Sequence, residues 1–167
     1  MSAAAVPFST FGQSATSRLI RAGLSTGVSD AIWAMVAQVF VFQRGSATGV
    51  WRGVASVLVG KEALTGGIPA TILGLVMHFG VAFSWSAIFL VLVTRSHKLR
   101  AILDSPYGVL KVAAVYGPFI WVFMSFVFIP LFTHRLPTVT LNWGIQLVGH
   151  ILFVGLPLVS QIGSGSK

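Results

Sequence analysis

Three ionisable side chains sit inside long apolar runs of this 167-residue sequence: Asp30 in "GLSTGVSDAIWA", His78 in "LGLVMHFGVAFSW" and His150 in "LNWGIQLVGHILFVGLP". Within hydrocarbon such groups are costly, and they turn toward a bundle interior or a water-filled cavity. Counting from the ends of their runs, they lie about 11, 10 and 9 residues deep, roughly 14–17 Å at the helical rise and so close to a bilayer midplane. Three groups at one level of one small bundle are expected to meet. Three chemistries fit such a group. Foremost is a structural contact, with Asp30 accepting hydrogen bonds from one or both imidazoles so that no polar atom is left unsatisfied. A proton or solute path through the Asp–His–His group is the second. The third is haem or chlorophyll held by His78 or His150, since a buried imidazole is a natural axial ligand.

The neighbours of these residues are small. On a helix, Gly23, Gly27, Asp30, Ala34 and Gln38 share one stripe, and Gly23 with Gly27 forms a GxxxG pair that admits a close helix. Around His78 the same face carries Ala70, Gly74, Ala82 and Ser86. Around His150 it carries Asn142, Gln146, Gly149 and Phe153, the most polar stripe in the chain. Helix-packing roles therefore fall to Gly23, Gly27, Gly74, Ala82 and Gly149. No catalytic residue and no metal site is expected, because HExxH, CxxC and the P-loop are all missing from the sequence. The one glutamate, Glu62 in "GKEALTGG", reads as an interfacial residue beside Lys61 and Arg52. Asp104 reads as a turn or cap, and His97 and His134 fall in connectors.

The elements that must hold these residues follow from composition. The chain is 55% hydrophobic and 8% charged, with mean hydropathy +0.89. Soluble domains carry about 25% charged residues, so the solvent for most of this surface is lipid. The net charge of +8 does not point to nucleic acid, because the basic residues stand singly at the ends of apolar runs, as headgroup anchors do. No cysteine is present, which excludes disulfides and thiolate metal sites.

The reading is an all-α integral membrane domain: a bundle of four transmembrane helices at about 19–42, 68–94, 106–132 and 141–162, each near the ~20 residues a span needs. Residues 1–18 read as a polar amino-terminal tail, without the basic start, apolar core and cleavage site of a secretory signal. Residues 163–167 read as a flexible carboxyl-terminal tail. Between the first two spans, about 47–65, Val50, Trp51, Val54, Val57 and Leu58 recur at helical spacing, predicting an interfacial or re-entrant helix. Pro69 suits a first helical turn, whereas Pro118, inside the third span, predicts a kink. Trp51, Trp143 and Tyr107 fall near span ends, as headgroup anchors, while Trp33, Trp85 and Trp121 lie deeper. Arg18, Arg21, Arg95, Lys98, Arg100, Lys111 and Lys167 share one side, against Arg44, Arg52, Lys61 and Arg135 on the other. That bias places both termini in the cytoplasm.

Four stretches, "GVSDAIWA", "VASVLVGKEALTGGIPATILGLVMHFGVAFSWSAIFLVL", "YGPFIWVFMSFVFIPL" and "GHILFVGLPLV", together resemble a family of small uncharacterised bacterial inner-membrane proteins with four spans, distantly similar to the YagU-like proteins. The resemblance runs in order from about Gly23 to Val159. Its most specific positions are Asp30, the loop residues Gly60, Lys61, Glu62, Gly66 and Gly67, then His78, Gly149, His150, Gly155 and Pro157. Ser125 departs from the pattern, which has asparagine after the methionine. The resemblance implies a helical bundle in a bacterial inner (cytoplasmic) membrane and no particular activity. The expected function is accordingly non-enzymatic: a structural or accessory subunit of a larger respiratory or photosynthetic membrane assembly, whose partners are the lipid bilayer and other transmembrane subunits or a second copy of itself. A small transporter or channel-like protein using Asp30, His78 and His150 is the alternative, and a haem- or pigment-binding protein the third.

Overall fold

The computed structural model describes residues 14–43 and 45–163. Its elements, in chain order, are helical: α1 (Ala15–Val36), α2 (Ala47–Val59), α3 (Gly67–Arg95), α4 (His97–Leu103), α5 (Gly108–Phe123), α6 (Ile129–Thr133), α7 (Leu141–His150) and α8 (Leu156–Gly163). Three wide π-turns, Ala37–Val41, Met124–Phe128 and Ile151–Gly155, continue or join them, and a 3₁₀ turn occupies Lys61–Thr65. Four helices are long and apolar enough to cross a membrane: Ala15–Val41, Gly67–Arg95, Gly108–Thr133 and Leu141–Gly163. This is a multi-pass membrane protein with the short apolar helix α2 between its first two spans.

The first span begins earlier than expected. Ser14 accepts a hydrogen bond from the Ser17 N–H and caps α1, so residues 15–18 are helix and not tail. Arg18, one turn in, donates to the carbonyl of Ile162 and ties the start of α1 to the end of α8. The rest of the expected amino-terminal tail, and residues 164–167, lie outside the described residues.

Each span shows lipid an apolar ridge and its neighbours a groove. On α1 the ridge is Ile20, Leu24, Val28, Ile32 and Val36, one residue every four, all exposed. The opposite face is small and buried: Ala22, Gly23, Thr26, Gly27 and Ala31. Lipid tails are as apolar as these side chains, so close packing and interhelical hydrogen bonds hold the helices together. The glycines make that packing fit. A Cβ at Gly23 would overlap the Phe83 ring, and one at Gly27 the Phe79 ring. At Gly74 a Cβ would overlap the backbone carbonyl of Trp51, so α2 runs hard against α3. Gly117 and Gly155 bring α5 equally close to the backbone of the fourth span. The Tyr116 hydroxyl donates to the Trp85 carbonyl at 3.1 Å and joins α5 to α3. At the membrane edge Arg100 donates to the carbonyls of Val93 and Thr94, which α3 leaves open at its end.

One sequence expectation changes below. Pro118 lies inside a continuous helix, and the backbone widens further on, at Met124–Phe128 and Ile151–Gly155. Each of those π-turns ends two residues before a proline, Pro130 or Pro157. A proline lacks an N–H and crowds the carbonyl four residues back; a widened turn just before it relieves both. Trp51 is not an exposed headgroup anchor. It is 4% exposed, buried by the close approach of α2 to α3.

The glycine contacts predict an asymmetry. Gly74→Val should lower stability by roughly 1–3 kcal/mol through overpacking, read as a reduced unfolding temperature in detergent. Gly80→Ala, where no atom lies within 4 Å of the added Cβ, should leave that temperature unchanged or raise it. Equal losses in both variants would contradict the packing described.

Candidate functional site

Asp30, His78 and His150 border one cavity of about 210 Å³. Its walls come from all four spans and from α2: Thr26 and Asp30; Met77, His78, Val81, Ala82 and Trp85; Ile120, Trp121, Met124, Phe128 and Ile129; His150 and Val154; and Val54 and Val57. Most of that surface is apolar, so the few polar atoms define its chemistry.

His78 is held by two contacts. One imidazole nitrogen, Nε2, lies 2.8 Å from the Gly27 carbonyl. A carbonyl only accepts, so Nε2 carries a proton. Gly27 has no side chain, and the Phe79 ring occupies the space a Cβ there would fill. The other nitrogen, Nδ1, faces Asp30 Oδ2 at 3.9 Å. In a neutral imidazole with Nε2 protonated, Nδ1 is an acceptor, and here it confronts a second acceptor. One added proton, on either group, turns that repulsion into attraction. Trp51 meets the His78 ring edge-on at 5.2 Å, and Phe79 does so at 5.5 Å.

His150 is oriented oppositely. Its Nδ1 lies 2.8 Å from the Gln146 carbonyl one turn back, so Nδ1 donates and Nε2 is the acceptor of the neutral ring. The ring packs on Trp121 at 4.6 Å and is 8% exposed. The π-turn Ile151–Gly155 starts at the next residue, a placement common at functional positions.

Two of the lining residues, Thr26 and Trp121, each have a polar atom, Oγ1 and Nε1, that is fully buried and has no hydrogen-bond partner in the chain.

The other sequence candidates divide. Ala82 lines the cavity, and Gly23, Gly27 and Gly74 clear the approaches to it. Gln146 and Gly149 serve Trp33: the Trp33 Nε1–H donates to Gln146 Oε1 at 2.7 Å, and a Cβ at Gly149 would overlap the indole. Phe153 stacks on the same indole at 4.8 Å. Asn142 is half-buried and does not line the cavity. Arg52 is half-buried on α2, whereas Lys61 and Glu62 are exposed in the 3₁₀ turn. The residues missed by sequence reading are Thr26, Trp51 and Trp121. Thr26 had a readable signal, one turn before Asp30 on the same face; the two tryptophans had none beyond their depth.

Comparison with protein-family models, with curated proteins and with solved structures finds no match to this chain.

The two hydrogen bonds predict opposite tautomers. Nitrogen-15 NMR of histidine-labelled protein should show His78 protonated at Nε2 and neutral His150 protonated at Nδ1, assigned by loss of each signal in His78→Gln and His150→Gln. The same tautomer at both positions would contradict the geometry.

Proposed function

We propose that this is a non-enzymatic multi-pass protein of a bacterial inner membrane, both termini cytoplasmic, acting as a small transporter or channel-like protein that moves protons through the Asp30–His78–His150 group. The observation that carries this reading is the shared cavity: the Asp30–His78 pair and a second imidazole, His150, border a single space among four spans. Intramembrane carboxylates and imidazoles in such a setting are the usual parts of proton relays.

The accessory-subunit reading loses much of its support from the same packing. The small-residue faces that suited docking to other subunits are used inside the chain, by Phe79, Phe83, Trp33 and the backbone of α2. Haem or chlorophyll fits less well than a small occupant. A cavity near 150 Å³ takes a single benzene-sized ring, and about 210 Å³ takes little more.

Proteoliposomes under an imposed potential should acidify faster than protein-free vesicles, and Asp30→Asn should cut the excess rate ten-fold or more. An excess rate unchanged in Asp30→Asn, or no excess in the unsubstituted protein, would overturn the proposal.

A further inference from the structure

We infer that the groove between α3, α4 and α5 is a binding site for an anionic phospholipid, with one acyl chain lying in the groove and the phosphate meeting Lys111. The groove shares no residue with the cavity that Asp30, His78 and His150 border, so the inference stands apart from the proton reading.

Depth sets the kind of ligand. Lys111 lies in the first turn of α5, where the third span starts at Gly108. Val112, Val115, Tyr116 and Phe119 follow it along the same face of the helix. From Lys111 to Phe119 the helical rise covers about 12 Å, and one leaflet supplies about half of a ~30 Å hydrocarbon core. The groove therefore opens at headgroup level and ends near the foot of one leaflet. An acyl chain runs the same course. The helix α4, which joins the second span to the third, adds Leu99 and Ile102 at the membrane edge.

The walls suit hydrocarbon. Phe89 and Tyr116 are buried at the floor, their rings 4.7 Å apart. The Tyr116 hydroxyl is already spent on the Trp85 carbonyl. Leu92, Val115 and Phe119 are exposed along the sides. The volume is about 440 Å³, nearly three times the ~150 Å³ that takes a benzene ring. A chain fills such a space better than a ring. Lipid tails are as apolar as these side chains, so the chain places the lipid without selecting it.

Selection falls to charge. Lys111 is the charged residue among those that line the groove. Its ammonium has no ion pair and no side-chain hydrogen bond among the described residues. Arg95 and Lys98 are exposed nearby in sequence, next to and on α4, whereas Arg100 is turned onto the carbonyls of Val93 and Thr94. Residues 95–111 hold these four basic side chains against one acid, Asp104. A lysine serves a phosphate as a point charge, and basic sites between spans favour anionic headgroups. A zwitterionic headgroup would bring its own ammonium to an end of the bundle that is already positive.

Native mass spectrometry of the full chain, released from detergent and titrated with phosphatidylglycerol or phosphatidylcholine of identical chains, tests the site. One phosphatidylglycerol should bind first, about five-fold more tightly than phosphatidylcholine, the factor that corresponds to ~1 kcal/mol for one basic residue at an anionic headgroup. That comparison needs no variant to fold. Lys111→Gln should bring phosphatidylglycerol down to the affinity of phosphatidylcholine. Lys61→Gln removes the same charge from an exposed position at the opposite end of α3 and should leave the affinity unchanged. Excess glycerophosphoglycerol, the same headgroup without chains, should not displace the bound lipid. Equal affinity for the two lipids, unchanged affinity in Lys111→Gln, or equal losses in Lys111→Gln and Lys61→Gln would overturn the inference. Displacement by the chain-free headgroup would overturn it too, since the groove would then contribute nothing.

Discussion

In the hydrocarbon of a bilayer, a polar side chain has only the protein to bond with, and this constraint shapes the interior of the bundle. Both buried imidazoles spend one nitrogen on a backbone carbonyl, His78 on Gly27 and His150 on Gln146. These bonds do more than satisfy a donor. They decide which nitrogen of each ring is left for chemistry, and for His78 that nitrogen faces Asp30.

The walls of the cavity depend on the same economy of space. Gly74 lets α2 lie against α3, and the Trp51 of α2 then closes over the His78 ring. Gly149 and Gln146 grip Trp33, turning the polar face of α7 toward α1, while His150 on the adjoining edge turns to Trp121 and the cavity. The widened turns before Pro130 and Pro157 flank the same region. Irregular backbone near the midplane is tolerated where it is enclosed by protein, and here one such turn starts directly after a cavity residue, His150.

Much of this architecture was legible in the sequence. Run length and hydropathy are strong signals, so the four spans and the short helix between the first two could be read directly, and Pro69 does lie in the first turn of α3. Depth along each run brought Asp30, His78 and His150 to one level, and the structure puts all three on one cavity. What the sequence did not carry was rotation and partner choice. A GxxxG pair says that something packs close, not that it is Phe79 and Phe83. The amphipathic pattern around Trp51 fits a headgroup anchor as well as a buried lid, and only the approach to Gly74 distinguishes them. Backbone widening is hard to read from periodicity here, because a π-turn shifts the side-chain register only slightly within runs that are apolar on most faces.

The central claim is spatial: the carboxylate of Asp30 and Nδ1 of His78 face each other at the border of the cavity. The sequence makes this directly measurable, since its acidic residues number three and its histidines four. Dipolar recoupling by solid-state NMR, on protein in lipid with carbon-13 in aspartate side-chain carboxyls and nitrogen-15 in histidine rings, reads that separation. Strong dephasing of the Asp30 carboxyl by the His78 Nδ1, lost in His78→Gln, is the result predicted from a nitrogen–oxygen distance of 3.9 Å. An Asp30 carboxyl that no histidine nitrogen dephases would contradict the account.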